Sequence, residues 1–453
     1  MRMIALLFFV VVSVFAEDLV PMRWPSAEVA SIGVLEGGAI NCLLVPEEKW
    51  SRDFARAAKG FTVLGVIVPG APALPRAKRA LALGLAGVVL EGDFPATEVA
   101  AVRAASKLTV ELGLRGKMPL GADAPTIIGT FQGVWAGINP PDEAKAAPSG
   151  APWIDTNAGF LRFVRANTNR PVWVGAQPPA QTVVSLRRYL QMIADAGMVG
   201  ARWVIDLEAG YFAKLVARDA KTLREFQRIE QVVAFFEKHR SLQQYPAAGQ
   251  LAIVEDVQNG ALLSGSVLDM ISVKHTPVRP VPFGAVRPEA FAQVRMAVNV
   301  DPQSLDATQQ KVLQDFVRRG GTVLTGPAGW RMPEPRPDQV KTDGAEIEKL
   351  DQIWKEVNAM TGRRNLGARL FNVSSLLSNF IGPADGSKVV LYLVNYSDFP
   401  VDSIAVHLLG KYSRASLYRP EQPPQPLVLY ENEDGSGVDL DLLESTAILV
   451  AEK

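Results

Sequence analysis

The sequence predicts an α/β chain: a (β/α)8-type TIM barrel, then a small α/β unit, then a C-terminal antiparallel β-sandwich. Three observations carry this. Between residues 40 and 245, short apolar runs alternate with amphipathic stretches, the pattern of parallel strands covered on both faces by helices. A second, compact β/α stretch follows a break at Tyr245-Pro-Ala-Ala-Gly249. From about residue 367 the runs become short, alternating and β-rich, with Gly, Pro and Asp between them. The 453 residues allow roughly two to four domains. With 48% hydrophobic and 21% charged residues, the composition is that of a globular protein and excludes disorder, collagen and coiled coil as the dominant class. Lys+Arg and Asp+Glu are both 47, which argues against a nucleic-acid binder and gives no hint of an anionic substrate.

Residues 1–16, MRMIALLFFVVVSVFA, read as a secretory signal peptide. Arg2 precedes an apolar run from Ile4 to Phe15, and Val14 and Ala16 occupy the −3 and −1 positions of a cleavage site. The rival is an uncleaved anchor, but the run is shorter than the ~20 residues a spanning helix needs. No later stretch is long and apolar enough to span. The expectation is an exported protein, secreted or periplasmic. Its one cysteine, Cys42, excludes an internal disulfide, so stability must come from the core.

Residues 29–45 predict a hairpin, VASIGVLE and AINCLLV about a Gly37-Gly38 turn. Helix 48–59 leads to strand 62–68, helix 73–84 to strand 86–91, and helix 96–106 to strand 108–112. Strand 126–130 opens a long Pro-rich loop, 132–152. Helix 155–168 leads to strand 171–176 and helix 181–196 to strand 201–207. Helix 219–241 closes the region, with Asp219 as N-cap and Leu223, Phe226, Ile229, Val232, Val233 and Phe236 at helical spacing. Counted from AINCLLV these are seven strands, which fits a (β/α)8 barrel with one irregular unit. A doubly wound open sheet is the rival. The chain has neither a G-x-G-x-x-G after an early strand nor a G-x-x-x-x-G-K-[ST] motif, so dinucleotide and P-loop readings lose their main support.

The α/β unit holds strands 251–256, 278–283, 294–300 and 322–326, a helical stretch to about Lys274, and helix 305–320 stopped by Gly320-Gly321. A loop over 331–345 and helix 346–360 precede the sandwich. The expected organisation is a signal peptide 1–16, barrel 17–245, α/β unit 246–335, linker and helix 336–366, and sandwich 367–453.

This order, and the stretch VRMAVNVDPQSLDATQQKVLQDFVRRGGTVLTGP above all, resembles the bacterial β-galactosidases. In those enzymes the barrel is followed by a glutamine-amidotransferase-like trimerisation domain and a small β domain. The resemblance implies a glycoside hydrolase fold, a carbohydrate ligand, and a middle unit of amidotransferase-like fold through which copies of the chain could associate. Residues 250–330 contain no cysteine, so an amidotransferase-like unit here would lack its nucleophile. The barrel departs from that family in having no Asn-Glu pair after a mid-barrel strand.

In a barrel the active site lies at the C-terminal ends of the strands, and glycoside hydrolysis needs two carboxyl groups there, one holding its proton. Glu91 and Asp206 end two separate strands, the third and seventh by this count, after the apolar runs Val88-Val89-Leu90 and Trp203-Val204-Ile205. Glu91 is the first choice for proton donor, because a buried strand end desolvates a carboxyl, and Asp206 is its partner. Glu208 and Glu111 are reserves. Gln132, Trp135, Trp153, Asp155 and Asn157, in or beside the long loop, and Gln177, after a strand, are the expected sugar contacts. Indoles pack on sugar C–H faces, while amides and acids meet the hydroxyls. The plain alternatives are that Asp155 caps the helix after it and that the tryptophans are core. The three histidines, His239, His275 and His407, are far apart in sequence. No metal or cofactor is expected. Two functional readings stay open: a two-carboxylate glycoside hydrolase acting on an oligosaccharide or polysaccharide, and a barrel without catalysis that binds glycan or serves as a scaffold.

Overall fold

The structure is a computed structural model. It describes residues 18–115, 118, 120, 125–130, 133–135, 156–178, 182–256, 261–333, 344–373 and 375–453.

Eight parallel strands form the first sheet: β1 Pro21–Arg23, β2 Cys42–Pro46, β3 Thr62–Ile67, β4 Gly87–Glu91, β5 Thr109–Gly113, β6 Ile127–Thr130, β7 Val172–Val174 and β8 Arg202–Trp203. Each pairs with the next in sequence. The chain beyond β8 continues beside β1: Met22 bridges Ile205, and the Arg23 amide donates to the Ile205 carbonyl at 2.8 Å. This closes the barrel and excludes the doubly wound open sheet. A cluster of Leu19, Cys42, Leu44, Leu64, Val66, Val89, Val110, Leu112, Ile127, Trp173 and Val204 fills its interior. Helices α1 Arg52–Ala57, α2 Ala73–Ala82, α3 Ala96–Ala105, α4 Ala158–Asn167, α5 Leu186–Gly197, α6 Ala209–Val216 and α7 Ala220–Lys238 follow in chain order around it. The Asp219 side chain caps α7 as expected, accepting from the Thr222 amide at 2.9 Å.

The expected hairpin at 29–45 is corrected. VASIGVLE is rich in β-branched residues, but Val29–Val34 is a 3-10 turn. Ile32 and Leu35, three residues apart, share its buried face, while Val29 stays exposed. The Ser31 hydroxyl fixes the turn by accepting from the Trp24 indole at 3.1 Å and donating to the Glu28 carbonyl. The strand beside β2 is instead β1, parallel to it and only three residues long, too short to show any period in sequence. Glu91 therefore ends the fourth strand, and Asp206 follows the eighth.

A second sheet, order β10-β9-β11-β12, is all parallel: β9 Leu251–Val254, β10 Val278–Val281, β11 Met296–Asn299 and β12 Thr322–Thr325. Helices α8 Ala261–Ser272 and α9 Ala307–Arg318 connect its strands, and α10 Gly344–Thr361 follows. Helix α8 crosses α4 of the barrel closely, because Gly159 and Gly265 meet at the contact. A Cβ on Gly159 would lie 2.2 Å from the Gly265 carbonyl oxygen.

The C-terminal strands are β13 Ala368–Phe371, β14 Leu376–Ile381, β15 Lys388–Asn395, β16 Val401–Leu409, β17 Arg414–Tyr418, β18 Gln425–Leu427, β19 Tyr430–Asn432, β20 Gly435–Leu443 and β21 Thr446–Glu452. They form two antiparallel sheets, β13-β16-β20-β19 and β14-β15-β21-β17-β18. Alternation buries both faces of the second sheet. Val389, Leu391 and Leu393 of β15 face the sandwich core, whereas Val390, Tyr392 and Val394 join the large core that includes the barrel helices. There Tyr392 stacks on Phe236 of α7, with ring centroids 6.5 Å apart.

Candidate active site at the barrel mouth

Strand alternation decides which polar side chains enter the barrel. On β4, Val88 and Leu90 pack outward and Val89 packs inward, so Glu91 points into the barrel at its C-terminal mouth. Val204 is inward, which gives the same direction to Asp206 two residues on. Leu19 is inward, and by the same count so is Arg23 at the end of β1. The three side chains meet. The Arg23 guanidinium donates through Nη2 to Glu91 Oε1, and its Nε lies 3.1 Å from Asp206 Oδ2. Glu91 is 5% exposed and Asp206 15%. One guanidinium reaches both acids. Glu91 is hydrogen-bonded to it and Asp206 lies in ion-pair contact with it, so both carboxyl groups gather about one cation at the barrel mouth.

Burial pushes the Asp206 carboxyl up to about 6; Arg23 pulls it down and Glu91 pushes it up. Burial alone would depress Arg23, but the pull of Glu91 and Asp206 raises it above its ordinary value. The mouth thus holds one fixed cation, one acid bonded to it, and one acid whose proton affinity reaches the mildly acidic range. Among the described residues no group of three or more His, Cys, Asp or Glu side chains could hold a metal ion.

The other expected site residues divide. Gln177 is exposed, four residues beyond the inward Trp173, where a rim contact would sit. Gln132, Trp153 and Asp155 lie outside the described residues. The remaining four are engaged away from the Arg23 cluster. Glu111 lies between the inward Val110 and Leu112, so it faces outward and bonds Arg103 of α3 at 2.6 Å. Glu208 is the N-cap of α6, accepting from the Gly210 and Tyr211 amides, each at 2.9 Å. Asn157 is buried, exchanging bonds with the Val134 backbone and donating its own amide to Asp195 at 2.7 Å. Trp135 is 1% exposed, packed edge-on to Trp203 and Tyr189, and its indole donates to the Gln177 carbonyl at 3.1 Å. It is core rather than a sugar platform.

Sequence reasoning missed Arg23. The signal was the strand count, seven where a closed barrel needs eight.

No family model and no curated protein matches the sequence. Solved structures do match the fold. The α-L-fucosidase isoenzyme 2 from Paenibacillus thiaminolyticus superposes with a TM-score of 0.60 at 10% identity, over 96% of this chain and 98% of that one. A β-galactosidase from Rahnella sp. R3 superposes with a TM-score of 0.52 at 8% identity, over 97% and 99%. The chain therefore shares the fold of these glycoside hydrolases, a parallel eight-stranded barrel with antiparallel sheets at the C-terminus. No helix among the described residues is long and apolar enough to cross a membrane.

Proposed function

We propose that the chain is a glycoside hydrolase acting on an oligosaccharide or polysaccharide, with its active site at the barrel mouth. The observation that carries the reading is the pair of inward acids, Glu91 at the end of β4 and Asp206 just beyond β8, joined by one arginine at the mouth of a glycosidase-type barrel. The roles expected from sequence are exchanged. Asp206, raised to about 6, is the proton donor to the glycosidic oxygen. Glu91 is the carboxylate that meets positive charge developing at the anomeric carbon, directly or through water. Arg23 is a positioning residue: it orients both acids and limits how far the Asp206 pKa rises. Export after cleavage of residues 1–16 belongs to the same proposal, as does a middle unit of amidotransferase-like fold that serves association rather than chemistry.

The test is turnover of aryl glycosides and polysaccharides by the purified protein, with Glu91→Gln and Asp206→Asn as variants. Each variant should lose on the order of 10²-fold or more in rate. Wild-type turnover by both variants on a confirmed substrate would overturn the assignment. Glycan binding without any turnover would mark the barrel as a carrier instead.

A further inference from the structure

A cleft of about 790 Å³ opens between the barrel, the second sheet and the sandwich. Barrel helices run opposite to the strands they follow, so the C-terminal end of α4, which lines the cleft, lies at the barrel floor. The cleft is therefore at the far end of the barrel from Arg23. Three arginines line it, Arg162 and Arg165 from α4 and Arg279 from β10. The only acid on its walls among the described residues is Glu289, which is well exposed and lies 3.9 Å from Arg287 outside the cleft.

The three cations are not equivalent. Arg162 donates to the Ser272 hydroxyl at 2.8 Å and the Ser378 carbonyl at 2.6 Å, with the buried carboxylates of Asp269 and Asp195 acting on it. Arg165 donates to the Arg170 carbonyl at 3.1 Å. Among the described residues the Arg279 side chain has neither hydrogen bond nor ion pair: its Nε is buried without a partner, and burial lowers its pKa. A partly desolvated guanidinium without a counter-ion is costly. Its planar fork matches the oxygens of a carboxylate or phosphate. The cleft is of the size that takes a small organic ligand at a domain junction rather than a bare ion. Tyr245 and the rings of Pro246, Pro280 and Pro383 supply the apolar wall such a ligand would lie against.

We propose that this cleft is a second ligand site, separate from the barrel mouth, for a sugar-sized anion whose carboxylate or phosphate seats on Arg279.

The experiment is calorimetric titration of the full chain with glucuronate, glucose 6-phosphate, glucose and inorganic phosphate. One of the two charged sugars should bind, and which one does identifies the oxyanion; glucose should not bind. Arg279→Gln, checked by thermal melting, should weaken that binding about tenfold or more, Arg279→Lys should recover part of it, and Glu91→Gln should leave it intact. Absence of binding by either charged sugar, equal binding of glucose, equal binding of phosphate alone, or indifference to Arg279→Gln would each overturn the proposal.

Discussion

Replacing Arg23 by Gln removes the cation that joins the two acids and keeps most of the side-chain volume. Asp206 then loses its attractive partner at 3.1 Å and keeps two influences that raise its pKa, burial and the Glu91 charge. A neighbouring arginine depresses an aspartate by about 1–3 units. The Asp206 side chain keeps 15% of its surface exposed, so the lower end applies, about one unit or ~1.4 kcal/mol of proton affinity. The Asp206 midpoint should therefore move from about 6 to roughly 7. Replacing Glu91 by Gln removes a like charge and should move it the other way. The direct assay is a carboxyl-carbon NMR titration of Asp206 in labelled protein, with thermal melting to show that each variant is folded. On an active substrate, the basic limb of the rate profile should shift in the same two directions, because activity is lost where Asp206 loses its proton. A midpoint that stays or falls in Arg23→Gln, or rises in Glu91→Gln, would refute the electrostatic reading of the triad.

Three further outcomes are expected. Burial raises the carboxyls of Asp195 and Asp206 to about 6, Asp269 and Glu230 to about 7, and Glu255 to about 8. The folded chain then holds these protons more tightly than the unfolded chain, and the resulting stability is lost as pH rises through 6 to 8. His275, pushed down to about 4 by burial and by Lys274, opposes this only as pH falls below its ordinary value. The melting temperature should accordingly be several degrees higher at pH 5.5 than at pH 8, and a flat or rising profile toward pH 8 would contradict the buried-acid account. Gly265→Ala would set a Cβ 2.8 Å from the Phe160 Cα across the α4–α8 crossing and should destabilise by about 1–3 kcal/mol in denaturant unfolding, whereas an unchanged midpoint would show that the helices can separate freely. Glu208→Ala should cost about 1 kcal/mol through loss of the α6 cap while leaving turnover on a confirmed substrate unchanged; a collapse in rate would return Glu208 to the site.

Most strands of the fold were legible because burial on both faces writes a strand as a continuous apolar run. TVLGVI, GVVLE and LAIV are of this kind, and the structure places each within a residue or two of its expected bounds. The failures have physical causes. β1 is three residues long and contains a proline, so it carries no period, and its place is set by what it pairs with: β2 on one side and Ile205 on the other. VASIGVLE carries a strand composition but is held in a tight turn by Ser31, a side-chain contact that composition does not report. Helix α6 is short and is capped by Glu208, a residue type that is not a strong N-cap signal in sequence.

The site was half legible for a related reason. Glu91 and Asp206 could be found because an acid ending an apolar strand is visible in one dimension. Whether an acid points inward depends on the parity of its strand, and parity could have been read for Glu111 as well: flanked by Val110 and Leu112, it must take the opposite face to theirs. What no single strand could reveal is the group between the two acids. Arg23 lies 68 residues before Glu91 and acts on both carboxyls only because the barrel closes through β1 and the chain after β8. Closure converts two isolated acids into a coupled pair around one cation, in which Asp206 is raised by burial and by Glu91 and lowered by Arg23. A proton-donor assignment in a barrel of this type therefore rests on the first strand as much as on the strands that carry the acids.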